Sequence, residues 1–195
     1  MIMIRIAVEA DVPAILSIYA PYVTETTITF EYDVPTQEEF SRRFREITAE
    51  FPWLVWEEGG AVLGSAYACR PFARTAYRWC AEPSIYLAPE AKGRGIGRRL
   101  YAALEELLKL LGYRMLYALI TGENQPSVAF HEKLGYTFAG KLETAGYKMG
   151  RWCSVFWMEK RLEIVDNPME FTTKWRAIGQ DRQKICDILY NLSLP

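Results

Sequence analysis

The chain has 195 residues, half of them apolar, with 23 Lys and Arg against 24 Asp and Glu and a formal net charge of −1. That length buries a full core in one domain with room for an appendage, and the near-balance of charge gives no reason to expect nucleic acid or an anionic membrane as the main partner. Cys69, Cys80, Cys153 and Cys186 show no C-x-x-C pair and no metal spacing beside the single histidine, so a reduced, cytoplasmic protein without a metal is expected.

The opening Met1-Ile2-Met3-Ile4-Arg5-Ile6 is too short and too soon charged for a signal peptide. No apolar run is long enough to span a bilayer, so neither export nor insertion is expected. Residues 3–8 read as a strand, after which Asp11 caps a helix with Pro13 in its first turn and Ile15, Ile18, Tyr19 and Tyr22 on one side. That helix fades between Thr24 and Thr29. Thr36-Gln37-Glu38-Glu39 is a capping box that opens a second helix through Thr48, with Phe40, Phe44 and Ile47 at helical spacing. Residues 53–58 and 61–70 are strands joined by Gly59-Gly60, a two-residue hairpin signal. A further strand over 81–87 leads into a helix whose Ile96, Leu100, Leu104, Leu107 and Leu111 form an apolar stripe ended by Gly112. Residues 113–120 are a buried strand. A short helix over 124–134 has Pro126 near its start and Gly135 as its stop, and strands over 136–143 and 153–161 close the pattern.

The order β-α-α-β-β-β-α-β-α-β-β describes an α+β sheet with helices on its faces. Residues 1–163 are expected to form this domain and 164–195 an appended tail. Asp166-Asn167-Pro168 is a breaker, and residues 174–192 carry only a weak helical pattern in Trp175, Ile178, Ile185, Ile188 and Leu189. The tail either docks on the domain or is partly disordered.

The segment from Ser84 to Leu100 carries the most chemistry, because an apolar strand runs through a glycine- and arginine-rich turn straight into a helix. Gly93, Gly95 and Gly97 let the main chain approach an anion, so that amides at the helix start point at phosphate oxygens where the helix dipole favours negative charge. A phosphorylated cofactor is the guest such a turn suits; an ordinary strand-to-helix connection with a basic first turn is the alternative. The spacing matches neither a dinucleotide fingerprint nor a P-loop.

Lys92-Gly93-Arg94-Gly95-Ile96-Gly97 resembles the acetyl-CoA signature [QR]-x-x-G-x-[GA] of the GNAT superfamily of N-acetyltransferases, with Lys92 in place of the usual Gln or Arg. The resemblance extends over residues 2–162 through the element order and through the run from Asn124 to Tyr136. Ile18-Tyr19-Ala20-Pro21-Tyr22-Val23, Thr29-Phe30-Glu31, the run from Ala73 to Trp79 and the run from Ala145 to Trp152 resemble the phosphinothricin and methionine sulfoximine N-acetyltransferase branch. It implies a GNAT fold, a mixed and mostly antiparallel sheet flanked by helices. It implies acetyl-CoA as co-substrate, a small-molecule amine acceptor of amino-acid type, and direct transfer in a ternary complex. Acetylation of a protein N-terminus, a lysine or a polyamine, and a non-catalytic acetyl-CoA sensor, are the alternatives.

Acetyl transfer needs a deprotonated amine, a polarised thioester carbonyl and a proton source for the departing thiolate. Glu82 reads either as a base working through water or as a solvated strand-end carboxylate. His131 stands where many GNAT enzymes have a tyrosine, and reads as base, as acid, or as a partly buried histidine bonded to backbone. Backbone amides over Lys92, Gly93, Arg94, Gly95, Ile96, Gly97 and Arg98 are expected at the pyrophosphate. The edge of Ile85, Tyr86 and Leu87 is expected to pair with the pantetheine arm, the Leu87 amide facing the thioester oxygen. The resemblance places Asn124 on that arm, though it also reads as a helix cap, and Ser127 or Lys133 toward the nucleotide. Arg94, Arg98 and Arg99 alternatively form a solvated face. Arg74 is expected to grip the acceptor's carboxylate or to be a surface charge, with Tyr77, Tyr86 and Phe30 as pocket walls.

Two departures from the branch stand out. Pro83 follows the Glu where a small polar residue is common, which suggests a bulge or a point where strands splay. Phe72 stands where some members have a basic residue, favouring methionine sulfoximine or sulfone over the doubly charged phosphinothricin. Cys80 and Cys153 are expected in the core rather than as nucleophiles. A homodimer is expected, with Tyr147, Trp152, Phe156 and Trp157 as its apolar surface or as core.

Overall fold

The structure, a computed structural model, describes residues 2–162, 175 and 182–193. Seven strands form one sheet: β1 (Ile2–Ile6), β2 (Trp53–Glu58), β3 (Ala61–Cys69), β4 (Cys80–Leu87), β5 (Met115–Thr121), β6 (Thr137–Lys148) and β7 (Arg151–Arg161). Their spatial order is β1-β2-β3-β4-β5-β7-β6, antiparallel throughout except for the parallel β4–β5 pair. The helices are α1 (Val12–Glu25), α2 (Gln37–Thr48), α3 (Ile96–Leu110), α4 (Gln125–Lys133) and α5 (Arg182–Ser193).

Strand alternation divides the core between the two faces of the sheet. One face sends Ala66, Ala81, Leu116, Ala118 and Met158 under α3, whose Leu100, Tyr101, Leu104, Leu107 and Leu108 are fully buried. The other sends Trp53 and Val55 against Ile15 and Tyr19 of α1 and Phe40 and Phe44 of α2. Thr36 caps α2 as its sequence predicts, its Oγ1 accepting from the Glu39 amide at 3.2 Å.

Three local readings change. Asp11 stands at the N-cap of α1, but its carboxylate makes no bond to that helix; it accepts from the Val8 amide at 2.8 Å, capping the short 3₁₀ turn Glu9–Asp11, and takes the two terminal guanidinium nitrogens of Arg5 at 2.7 Å. The strand expected to stop at residue 143 continues to Lys148 and turns at Met149-Gly150 directly into β7. Register shifts at Phe138/Gly140 and Leu142/Gly146 interrupt its alternation, which is why the sequence pattern fades early. Pro83 is no bulge. The β3–β4 register passes it without a shift, and it lies just past the last β4–β5 pair, where the two strands splay.

Within the tail, the Asp166-Asn167-Pro168 breaker, Lys174 and Ile178 lie outside the described residues. Helix α5 docks against α3 and β1, burying Ile185 and Leu189 in the main core, and the Ile4 amide donates to Ser193 Oγ at 2.7 Å. An exposed β1 edge is thereby partly covered. Leu189 is 9% exposed, so Leu189→Ala should cost about 2–3 kcal/mol of stability. Urea denaturation should show that loss as a lower midpoint at unchanged slope.

Candidate active site

The parallel β4–β5 pair holds for two residues, Cys80 opposite Met115 and Ala81 opposite Leu116, after which the strands diverge. A cleft of about 470 Å³ opens there, lined by Glu82, Ile85 and Tyr86 of β4, Leu119 of β5, and Asn124 and His131 at α4. Ile28 from the α1–α2 connection and Tyr101 from α3 complete its walls.

Hydrogen-bond alternation decides which β4 groups face this opening. Ala88 N–H donates to the Leu63 carbonyl at 2.9 Å, so even-numbered β4 residues bond β3 and odd-numbered ones turn their main-chain groups toward the splay. Pro83 offers no N–H there, and its carbonyl accepts from the Tyr101 hydroxyl at 3.1 Å. Ile85 presents its N–H and C=O to the opening. The Leu87 amide is engaged: it donates to the Tyr22 hydroxyl at 3.3 Å, and that hydroxyl donates to the Leu87 carbonyl at 2.7 Å. The sequence places Tyr22 on a helical face and within a run that carries the branch resemblance, with no role assigned to its hydroxyl.

Beyond β4 the chain makes a 3₁₀ turn at Pro89–Ala91 and enters α3 through Gly93 and Gly95 at φ +74° and +77°, values that favour glycine. Among the described residues, the amides from Gly93 to Arg98 have no hydrogen-bond partner. Six consecutive free donors at the positive end of a helix fit a pyrophosphate. Gly97 brings this turn close to its neighbours, since a Cβ there would lie 3.4 Å from Ile85 Cδ1 and Leu87 Cδ1. The basic side chains are less available: Arg94 donates to Glu58 at 2.7 Å and the Lys92 ammonium sits 4.9 Å over the Tyr22 ring. Arg98 is exposed.

Glu82 is half-buried, with no hydrogen bond or ion pair among the described residues, and burial raises its carboxyl pKa. His131 is 4% exposed and burial pushes its ring below the ordinary histidine value. Its Nδ1 lies 2.8 Å from the Ser127 carbonyl and its Nε2 2.9 Å from the Tyr101 hydroxyl. Tyr101 was read only as part of a helix. Asn124 Oδ1 accepts from the Ser127 amide at 3.3 Å, which caps α4 and leaves the side-chain NH₂ for other partners. Lys133 is exposed at the far end of that helix.

The expected acceptor-side residues are distributed differently. Phe30 lies against Gly146, where a Cβ would come within 2.4 Å of its ring, and not on the cleft lining. Tyr86 does line the cleft, its ring edge-on to Tyr19 and Tyr22 at 4.8 and 5.2 Å. Arg74 and Tyr77 are exposed on the 70–79 connection, with Tyr77 packing on Phe72 at 4.5 Å and Phe72 in turn stacked on Trp157 at 5.8 Å. Lys148 had no assigned role; its buried ammonium donates to the carbonyls of Val23 and Thr29, both at 2.7 Å, and ties the α1–α2 connection to the β6–β7 hairpin.

A mixed sheet splayed at its one parallel junction, with a free-amide turn at one end of the opening and the half-buried Glu82 and buried His131 along it, has the make-up of an acyl-transfer site for a phosphorylated carrier. The comparisons with known proteins agree. Residues 4–157 match the acetyltransferase (GNAT) domain, and the chain belongs to that family. It is 36% identical to a phosphinothricin N-acetyltransferase of Streptomyces viridochromogenes over 165 residues, 85% of this chain and 90% of that one. It is 34% identical to the L-methionine sulfoximine/L-methionine sulfone acetyltransferase of Pseudomonas aeruginosa, over 82% of this chain and 94% of that one. The crystal structure of a phosphinothricin acetyltransferase from Sinorhizobium meliloti with acetyl-CoA superposes with a TM-score of 0.81 at 37% identity, covering 88% of this chain and 93% of that one.

Because burial raises the Glu82 pKa, the folded state holds this proton more tightly than the unfolded chain does. Glu82 therefore weakens the fold as pH rises above the unfolded carboxyl range and is neutral to it below. Thermal melts should show Glu82→Gln more stable than the parent at pH 7, with the gap closing below about pH 4.

Proposed function

We propose that this enzyme acetylates the amine of a small amino acid or amino-acid analogue by direct transfer from acetyl-CoA. The observation that carries the reading is the two-residue β4–β5 pairing, which opens one cleft to Glu82, His131 and the β4 edge together. When bound, acetyl-CoA supplies the acetyl thioester that the acceptor amine attacks.

The amides from Gly93 to Arg98 hold the pyrophosphate, and the Ile85 main chain pairs with the amide-bearing arm as an added strand does. The Asn124 side-chain NH₂ is a further donor beside that arm. Glu82 holds the acceptor's ammonium and, with a raised pKa, is better matched to removing its proton through water than an ordinary carboxylate is. His131 is the second proton-handling group. Direct transfer is favoured by the thiols near Glu82: burial and the Glu82 charge push Cys69 up to about 12 and burial raises Cys80, so neither is suited to act as a thiolate nucleophile.

The acceptor's carboxylate is assigned to Arg74. Cys69 pairs with Glu82 and the chain returns at Cys80, so the connection carrying Arg74 and Tyr77 flanks the Glu82 end of the cleft. On this connection Phe72 joins an aromatic cluster with Tyr77, Tyr117 and Trp157. An apolar wall in that place suits the neutral side chain of methionine sulfone or sulfoximine better than a phosphinate.

A homodimer and a reduced, cytoplasmic setting belong to the same reading. The four cysteines are unbridged. The long edge strand β6 exposes Phe138, Leu142 and Tyr147, and Trp152 opposite is 62% exposed. Sedimentation should return twice the monomer mass; a monomer at micromolar concentration removes that part.

A thiol-release assay over methionine sulfoximine, methionine sulfone, phosphinothricin, common amino acids, polyamines and lysine peptides tests the whole. Turnover on the sulfone or sulfoximine is expected, falling about 100-fold or more in Glu82→Gln and His131→Ala, with acetyl-CoA raising the melting temperature of all three proteins. Activity confined to peptides or polyamines replaces the acceptor class. Tight acetyl-CoA binding without turnover on any amine makes the protein a sensor.

A further inference from the structure

The single histidine of the chain has both ring nitrogens engaged inside the protein. The Ser127 carbonyl, 2.8 Å from His131 Nδ1, can only accept, so Nδ1 carries a proton in either charge state. In the neutral ring Nε2 then holds a lone pair, and the hydroxyl of Tyr101 meets it at 2.9 Å. The rings of Tyr101, Phe130 and Tyr136 stand edge-on around the imidazole at 5.3, 5.3 and 5.0 Å, leaving it 4% exposed. Ser127 Oγ, at 3.4 Å from Nδ1, is too distant to displace the carbonyl.

Tyr101 has a second partner, the Pro83 carbonyl at 3.1 Å, at the point where the strands splay. A hydroxyl has one hydrogen and cannot donate to both. With His131 neutral, that hydrogen points at Nε2. With His131 charged, Nε2–H donates to Tyr101 and Tyr101 donates to Pro83, so the hydroxyl has a defined orientation in each charge state and the Pro83 carbonyl gains its donor only in the charged one.

We infer that Tyr101 is the positioning residue through which His131 exchanges protons with the cleft. The second proton that the acceptor nitrogen loses, as the amide forms, is taken directly or through water at Tyr101 Oη as Tyr101 passes its own to Nε2. One N–H bond breaks on the acceptor, one forms on His131, and the hydroxyl ends intact and turned to Pro83. The phenol does not ionise along the way, since burial holds its pKa well above the ordinary tyrosine value. The titratable groups around the pair are Glu82 on β4, Tyr67 on β3, Tyr136, and Glu105 on α3, the last paired with Lys160 of β7 at 2.5 Å. The inference rests on His131 carrying a proton during acetyl transfer.

A lone histidine makes the test direct, because ¹⁵N NMR of histidine-labelled enzyme shows one ring. The wild type should show the Nδ1–H tautomer. In Tyr101→Phe the tautomer should persist, but the ring should titrate at lower pH, because the charged form loses the stronger, charge-assisted bond. The acid limb of kcat/KM should move down with it, and kcat should fall about 100-fold with KM for acetyl-CoA unchanged. Ser127→Ala should leave the ring's titration in place. An Nε2–H tautomer in the wild-type enzyme, needing no variant to fold, overturns the inference, as does a Tyr101→Phe enzyme with unmoved titration and pH profile. Should His131→Ala keep full turnover, the function assigned to His131 fails while the tautomer result stands by itself.

Discussion

One missing stretch of pairing shapes the molecule. Strands β4 and β5 share two residue pairs and then part, leaving β4 main-chain groups that an ordinary sheet would satisfy. Pro83 has no amide to orphan, its carbonyl lies within reach of the Tyr101 hydroxyl, the Leu87 groups are taken by Tyr22, and Ile85 faces the gap with neither group engaged among the described residues. The divergence thus leaves at Ile85 the main-chain groups that a ligand strand would pair with. It also sets depth: α3 and α4 close one side, the α1–α2 connection the other, and the groups between them lose water without being sealed from the cleft.

That partial desolvation gives the two ends of the cleft opposite chemistry. At the α3 turn, free amides and a helix dipole concentrate positive potential in a chain whose net charge is only −1. At the other end, burial without compensating charge raises the pKa of Glu82 and lowers that of His131, favouring the neutral form of each. The same burial raises the Cys69 and Cys80 thiols. These features share one origin, the set of backbone and side-chain groups that the splay leaves uncovered or half-covered.

The sequence disclosed these features unevenly, for physical reasons. Gly59-Gly60, the Thr36 capping box and the Leu100–Leu104–Leu107 stripe are local patterns, and local hydrogen bonding or helical periodicity is enough to read them. Gly93 and Gly95 were legible as a turn because positive φ leaves few other residue types. Asp11 was misread because its partner Arg5 comes from the neighbouring strand, and residues 144–148 faded because register shifts break the alternation. The hydroxyls of Tyr22 and Tyr101 lay unmarked on helical faces, since a buried aromatic looks the same in sequence whether its hydroxyl is idle or bonds a carbonyl 18 or 65 residues away. Phe30 and Tyr77 were named through resemblance, which carries position but not orientation.

Lys148 shows how the α1–α2 connection, which lines the cleft through Ile28, is joined to the sheet edge. Its ammonium, 3% exposed and with a lowered pKa from that burial, stays in place through two carbonyl bonds, one at the end of α1 and one in the connection that carries Ile28 to the cleft. Gly146 leaves room for the Phe30 ring against the same strand, and the Tyr32 hydroxyl bonds the Tyr147 carbonyl beside it. Burying a lysine is costly unless its donors are satisfied, so the hairpin and the connection keep this geometry together or lose it together. The strand supplying these anchors, β6, is also the exposed edge of the sheet. Three consecutive residues, Gly146, Tyr147 and Lys148, thereby hold the connection that lines the cleft through Ile28 to the edge of the sheet.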